Sequence, residues 1–400
     1  MQIENIHIKN YKVFKDTHVK GLSHLCVFLG PNGSGKSTFF DVLGFLSDAL
    51  HNNVTIAINR RGGAKEVFSR GCDINKDEIL LEIKFRNPKA FEGDFNPIIT
   101  YQVKIGFGKG KGKVKREILK YRRGKKGKPW HFLDFKEGEG SAISNEQDYG
   151  KEGVKEIREN NSLSSSDILA IKGLGQFEQF KVISEFRKLL EKWYISSFSI
   201  DSARRVSETG VDQHLNATGD NLAQVTKYMF EYHKNIFDKV LKKLPQRIPG
   251  ISKVEAIDSI EGKVVLRFQD ENFVDPFIGK FVSDGTIKMF AYMILLYDPE
   301  PHPLLCIEEP ENFLHPDLLT NLAEEIREYA ERGGQVFVST HSPDFVNALK
   351  IEELFFLEKQ DGFTQIKAAS QDPIVRDLYN QGNQLGWLWR NHYIRGANLD

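Results

Sequence analysis

The sequence predicts an α/β fold in which a parallel sheet is interrupted by a large insertion, and three observations carry that expectation. The continuous apolar run Leu25-Cys26-Val27-Phe28-Leu29 ends at Gly30, and after a glycine-rich stretch Phe39, Phe40, Leu43, Leu46, Ala49 and Leu50 recur at helical spacing. Far along the chain, the short apolar runs 304–307 and 335–338 alternate with a helical pattern, as buried parallel strands and their crossovers do. Between the two halves lie short strand-like runs separated by turn residues, the pattern of an antiparallel meander.

Taken in order, Ile3, Ile6 and Ile8 alternate with polar residues and pair in expectation with 25–29. The meander covers 79–85, 98–107, 114–121 and 129–135, and the polar residues 136–166 read as a long or partly disordered connection. Helical spacing follows from Phe177 to Trp193, and again from Leu222 to Leu244, where Pro245 is expected to end the helix. A strand pair at 253–258 and 263–268 precedes an apolar helix over 286–297 and the strand 304–307. Pro316 and Asp317 open a further helix that Gly333-Gly334 stops. The strand 335–338 comes next, then a hairpin over 353–367 turning at Asp361-Gly362.

Composition bounds the function. Across 400 residues Lys+Arg and Asp+Glu both number 55, which excludes a uniformly basic or acidic protein. No apolar run reaches the roughly 18 residues of a membrane span, and MQIENIHIKN does not build a signal-peptide core, so a cytoplasmic protein is expected. Cys26, Cys72 and Cys306 form neither a CxxC pair nor a disulfide framework.

Gly30-Pro31-Asn32-Gly33-Ser34-Gly35-Lys36-Ser37-Thr38 matches the phosphate-binding P-loop GxxxxGK[ST], between strand and helix as that motif requires. Backbone N–H groups and the helix N-terminus attract phosphate, Lys36 adds a point charge, and Ser37 offers a hydroxyl to Mg²⁺. Glu308 and Glu309 close the apolar run 304–307, at the sheet edge where α/β proteins bind ligands. Adjacent strand residues point to opposite faces, so the two are expected to diverge unless the strand ends between them. Glu308 then serves the metal and Glu309 orients the attacking water. His341 follows 335–338 at the same edge, as a donor to a γ-phosphate, and Ser283-Asp284-Gly285 precedes a helix for which Ser283 or Asp284 is also an ordinary cap.

In this order, with Glu308-Glu309-Pro310-Glu311, Leu314-His315-Pro316 and Thr340-His341-Ser342-Pro343, the motifs resemble those of ABC-type ATPase heads. The likeness is to the RecF and structural-maintenance-of-chromosomes (SMC) branch, the OLD-like ATPases and ATPases grouped with abortive-infection proteins. It implies a P-loop NTPase with a mixed sheet, an antiparallel β lobe and an inserted helical and basic segment. The head would comprise 1–85 and 191–358, the insertion lobe 86–190 and a C-terminal extension 359–400. It further implies ATP and Mg²⁺ as cofactors and a homodimer or higher oligomer of ATP-sandwiched heads, in which Ser283 and Gly285 complete the opposite subunit's site. The chain departs from the pattern in having Glu308 where Asp is usual, Asp284 in place of a glycine, and no glutamine between Lys36 and Gln102, which points to slow turnover. Too few residues follow the hairpin for a Toprim nuclease domain, so no intrinsic nuclease is expected.

Residues 109–128 hold eleven Lys and Arg against Glu117 alone, a net +10 that leaves −10 on the rest of the chain. Lys111, Lys113, Lys115, Arg116, Arg122, Arg123, Lys125 and Lys126, with Tyr121 and Trp130 for stacking, fit the phosphate backbone of DNA. An acidic partner protein and a solvated hairpin tip fit the same pattern. If 114–121 is one strand, its two basic turns lie roughly 25 Å apart. The expected function is a cytoplasmic ATPase that couples hydrolysis to DNA binding or to control of a separately encoded nuclease or toxin, in DNA repair or phage defence. The alternative is an ATP-dependent scaffold that holds and releases such an effector without touching DNA.

Overall fold

The computed structural model describes residues 1–91, 96–122, 127–146 and 154–396. The alternating isoleucines form β1 (Gln2–Tyr11), which turns back into β2 (Phe14–Lys20), and the apolar run forms β3 (Leu25–Leu29). β1 pairs with β2 and β4 while β3 lies in a different sheet, so the strand pair expected of 3–8 and 25–29 does not form. The polar alternation of FKDTHVK hid the intervening strand, whose outward positions are charged. Helix α1 (Lys36–His51) follows the P-loop, then the short α2 (Val54–Asn59) and α3 (Ala64–Val67).

The meander runs as expected through β4 (Ile79–Arg86), β5 (Ile99–Gly108), β6 (Lys111–Tyr121) and β7 (Trp130–Lys136). It then continues where a connection was expected, through β8 (Glu139–Ile143) and β9 (Arg158–Ser162). β9 reads RENNS and is a solvated edge strand, held by backbone pairing without an apolar face. Among the described residues these strands make one sheet of eight, in the order β2-β1-β4-β5-β6-β7-β8-β9. The boundary expected at 85/86 therefore falls inside a continuous sheet.

Helices α4 (Ala170–Leu174) and α5 (Lys181–Glu191) lead to β10 (Tyr194–Ile195), α6 (Ile200–Ala203) and β11 (Ser207–Glu208). The helix expected over 222–244 breaks at His233 (φ −131°, ψ 42°) into α7 (Leu222–Tyr232) and α8 (Lys234–Arg247). Pro245 sits inside the last turn of α8, where a missing N–H costs one bond, and the helix ends only at Ile248. β12 (Ile251–Asp258), β13 (Lys263–Asp270) and β14 (Phe277–Ile278) form a small antiparallel sheet with β11. Next come α9 (Asp284–Leu296), β15 (Leu304–Glu308), α10 (Pro316–Glu331), β16 (Gln335–Thr340) and α11 (Pro343–Val346). The hairpin of β17 (Leu354–Gln360) and β18 (Phe363–Ala368) turns at Asp361 (φ 51°) and Gly362 (φ 80°), and α12 (Pro373–Asn380) and α13 (Leu385–Arg390) follow.

The two halves of the chain do share one sheet, ordered β10-β15-β16-β3-β17-β18, in which only the pairing to β18 is antiparallel. Its strands are apolar on both faces because both are covered. Cys26 and Phe28 of β3, with Phe337 and Phe355, face α1 and the antiparallel sheet, whereas Val27, Leu29, Ile307 and Val338 face the helices α7 to α10. Phe28 sits among Phe39, Phe40, Phe337 and Phe355 at ring distances of 4.5 to 6.2 Å. Cutting it to Ala would cost about 3–5 kcal/mol. Among the described residues no helix is long and apolar enough to cross a membrane.

Candidate functional site at the end of the parallel sheet

β3, β15 and β16 run parallel and in register, so Gly30, Glu309 and His341 leave the same edge. The loop after β3 is shaped by its glycines. A Cβ on Gly30 would lie 2.5 Å from Ser34 Oγ, and Gly33 (φ 78°) and Gly35 (φ 107°) adopt left-handed backbone that other residues rarely reach. From the far end of the chain, Thr364 Oγ1 of β18 donates to the Ser34 carbonyl (2.7 Å). Pro31 is half-buried, Asn32 and Gly33 are exposed, and Thr38 follows Ser37 in the first turn of α1. The N–H groups of Lys36, Ser37 and Thr38 precede the first bond of the helix, which runs from Phe39 N–H to the Gly35 carbonyl (2.9 Å).

Lys36 folds over this loop. Its Nζ donates to the carbonyls of Gly30 (2.7 Å) and Pro31 (3.1 Å) and lies 3.8 Å from Glu309 Oε1. Burial pulls its pKa below the usual lysine range against the opposing pull of Glu309, Glu311 and Glu308. Ser37 Oγ donates to Glu308 Oε2 (2.6 Å), which joins two oxygen donors of the kind Mg²⁺ prefers.

The strand ends between the two acids. Glu308 is the last residue of β15 and Glu309 takes φ 43°, a left-handed conformation costing about 1–3 kcal/mol in a non-glycine residue. Both carboxylates thus remain at the edge, Glu308 turned to Ser37 and Glu309 toward Lys36 and His341. Glu309 Oε2 accepts from Asn312 Nδ2 (3.1 Å), and Oε1 lies 3.3 Å from His341 Nδ1. Burial alone would raise the Glu309 carboxyl, but Asn312, His341 and Lys36 outweigh it and hold the group ionised below its usual range.

Two site residues escaped sequence reasoning. Glu311 Oε1 accepts from Thr340 Oγ1 (2.7 Å) and from the His341 N–H (3.0 Å), which fixes the histidine loop; its position in Glu-Glu-Pro-Glu was the available signal. Lys288 of α9 donates to the carbonyls of Glu309 (3.2 Å) and Asn312 (2.8 Å), and burial lowers its pKa to about 8. A buried lysine in an apolar helix was visible in the sequence, but its partners were not.

Lys288 also connects the Ser-Asp-Gly segment to the acidic loop. Ser283 caps α9, its Oγ accepting from the Thr286 N–H (3.2 Å), and Asp284 pairs with Arg204 (2.6 Å). A Cβ on Gly285 would lie 2.8 Å from the Phe313 carbonyl, so glycine is required for α9 to meet the 309–314 loop. His315 caps α10, and Gln102 donates to Glu82 within the antiparallel sheet (3.0 Å). Beside the P-loop, Lys12, Val13, Thr38, Arg61, Phe68 and Arg70 line a cavity of about 400 Å³.

The basic residues lie elsewhere, on β6 and its turns. Lys111 and Arg116 are exposed and Lys113 half-buried, but Lys115 pairs with Glu137 (2.6 Å) and Arg116 with Asp134 (2.9 Å). Arg122 ends the described part of that turn, and Arg123, Lys125 and Lys126 lie outside the described residues. Glu117, the acid of this segment, is fully buried. It accepts from the N–H groups of Ala170 (2.5 Å) and Ile171 (3.1 Å) and so caps α4.

A glycine loop at a helix N-terminus, a lysine folded over it and carboxylates at the adjoining strand end define a P-loop ATPase. The family model described as "AAA domain, putative AbiEii toxin, Type IV TA system" matches residues 25–347, and the chain belongs to that family of ATP-binding, ATP-hydrolysing domains. Over 423 aligned residues it is 22% identical to an "ATP/GTP phosphatase" of Helicobacter pylori (strain ATCC 700392 / 26695), covering 97% of this chain and 98% of that protein. Its fold is that of SMC heads. An SmcHead bound to the C-winged helix domain of ScpA superposes with a TM-score of 0.57 at 14% identity, covering 92% of this chain and 98% of the other. The Smc head with an extended coiled coil from Pyrococcus furiosus, bound to the C-terminal domain of ScpA, gives 0.51 at 12%, with 95% and 99% covered.

Proposed function

We propose that two copies of this chain close on two ATP·Mg²⁺ and reopen on hydrolysis, and that this cycle controls the grip on a separately encoded protein partner. Lys36 and the loop amides bind the phosphates, Ser37 and Glu308 hold Mg²⁺, Glu309 orients water, and His341 donates to the γ-phosphate. Ser283 and Gly285 complete the site of the opposite copy. Mg²⁺, when bound, neutralises charge between the β- and γ-phosphates.

The observation that carries this reading is the Lys288 link. One ammonium ties the helix that would face the neighbour's nucleotide to the carbonyl of the residue that would orient water, so closure and hydrolysis share a part. Phe281 (73% exposed) and Phe313 (66% exposed) flank the start of α9, apolar surface suited to burial between two heads. The protein partner follows the SMC heads, which are bound to ScpA domains. Glu309→Gln should lower turnover by about 10² to 10⁴-fold while ATP still binds and the pair accumulates by analytical ultracentrifugation. Hydrolysis at the wild-type rate would refute the assignment.

DNA binding by the basic turns is the second reading. Lys111 at the exposed end of β6 favours it, while the ion pairs of Lys115 and Arg116 subtract from its charge. Because β6 lies inside the sheet of eight, the test is substitution and not deletion. Lys111→Glu/Lys113→Glu should weaken DNA binding and flatten its salt dependence, and no change would leave the protein partner as the coupled ligand.

A further inference from the structure

The segment 298–303, between α9 and β15, enters the parallel sheet at the edge opposite the nucleotide loop. It carries Asp298 and His302, and the loop between β11 and α7 brings His214 against them. One ligand atom from each of the three lies within 4.8 Å of the others.

The surroundings of these groups are specific. The Asp298 side chain is only 2% exposed; its Oδ1 accepts from the Glu300 N–H (2.8 Å) and its Oδ2 meets His214 Nδ1 at 2.7 Å. His302 Nδ1 lies 3.1 Å from the Lys192 carbonyl. A carbonyl can only accept, so the ring hydrogen belongs on Nδ1 and Nε2 is left as a bare lone pair. That Nε2 is buried and has no hydrogen-bond partner among the described residues. A buried acceptor left without a donor is unfavourable, and a bound cation would relieve it. The residue is held from other sides as well, its ring packed on Tyr194 (centroids 4.9 Å apart) and its backbone carbonyl accepting from Tyr329 (3.0 Å). An imidazole anchored through one nitrogen on a backbone carbonyl, with the other nitrogen free, is the arrangement that orients histidines toward metals.

We propose that His214, Asp298 and His302 bind one divalent transition-metal ion of the zinc class. Two imidazole nitrogens and one carboxylate oxygen suit such an ion and not Mg²⁺, which prefers oxygen. Bonds of about 2.0–2.1 Å in tetrahedral geometry set ligand atoms about 3.3 Å apart, so the His214–Asp298 contact opens slightly and His302 Nε2 moves in. The metal displaces the hydrogen that His214 Nδ1 shares with Asp298; from an imidazolium it passes to solvent, and in a neutral ring it is replaced by one on Nε2. Water takes the fourth position. The ion pins the 209–221 loop to the sheet. Asn221 already holds that loop through the His214 carbonyl (2.9 Å), and Tyr194 through the carbonyl of Asn216 (2.8 Å).

A second group, His7, Asp16 and His18, lies on the β1–β2 hairpin with its rings stacked 3.6 Å apart. Asp16 and His18 are exposed and, among the described residues, the group holds no buried atom without a partner, so it serves as the control.

The test titrates the EDTA-stripped full chain with ZnCl₂ by calorimetry without nucleotide, and counts bound zinc by elemental analysis. One zinc per chain and a rise in Tm are expected in the wild type and in His7→Ala/His18→Ala. His302→Ala and His214→Ala should each weaken that zinc at least about tenfold. The ring of His214 is 39% exposed, so its variant keeps the test decisive if His302→Ala does not fold. No zinc uptake by the wild type, uptake unchanged in His214→Ala, or uptake abolished in His7→Ala/His18→Ala would each overturn the proposal.

Discussion

On β6 and β7 of the antiparallel sheet, Arg116 meets Asp134 at 2.9 Å, and Lys115 meets Glu137 at 2.6 Å beyond the strand end. At the end of the parallel sheet, Lys36 has two loop carbonyls for company and its nearest carboxylate at 3.8 Å. Both regions are rich in charge, but Arg116 and Lys115 each meet a carboxylate that neutralises them, whereas Lys36 is a buried cation short of anionic partners. Charge paired at a surface contributes little to stability and is available to little else. Charge buried without full compensation costs stability and is available to a ligand.

Lys36→Ala tests this contrast most strongly. Losing a point charge about 4 Å from phosphate in a partly buried site should cost about 4 kcal/mol of ATP binding, about a thousandfold in Kd by calorimetry. Since burial already disfavours the charged form of Lys36, the nucleotide-free variant should melt no lower than the wild type. A lower Tm with ATP affinity intact would reverse the contrast.

Among the described residues of the antiparallel sheet, Glu117 is a buried acid that breaks the rule. Burial lifts its pKa from 4.5 to about 7, against the opposing bonds from Ile171, Ala170 and Tyr101. The folded chain therefore holds this proton more tightly than the unfolded chain, and stability falls as pH rises from about 4.5 to about 7. The contribution amounts to about 3 kcal/mol. Urea unfolding at pH 5 and pH 7.5 should show it, and Glu117→Gln should flatten the difference. A slope unchanged in that variant would assign the titration elsewhere.

The smallest effect belongs to Arg116→Ala, which removes a half-exposed ion pair. It should change stability by less than about 1 kcal/mol and leave ATP turnover unaltered.

What could be read from the sequence follows the range of each interaction. The loop 30–38 was legible because its chemistry lies in consecutive backbone and one lysine. Glu308, Glu309 and His341 were legible because buried strands announce themselves by composition and their ends inherit the edge. The Glu117 cap on α4 and the Thr364 contact with the P-loop were not, since each joins residues that only the tertiary fold brings together. Nor were β8 and β9, which are held by backbone pairing that leaves no hydrophobic period in the side chains. His233 breaks the helix over 222–244 without a proline or glycine to mark the place.

The position of β3 between β16 and β17 sets a timetable for synthesis. Ile3 and Gln335, bonded through the glutamine side chain at the entrance of the sheet, are 332 positions apart. At about 5–20 residues per second, β3 leaves the ribosome roughly 15 to 60 seconds before either neighbour exists. During that interval Leu25–Leu29 has both edges unpaired and a sequence prone to β association. The nascent chain thus carries a sticky, catalytically inert nucleotide loop until its last parallel strands arrive. Demand for chaperones should accordingly be greatest early in translation, and truncation before residue 335 should yield aggregates in place of a smaller working head.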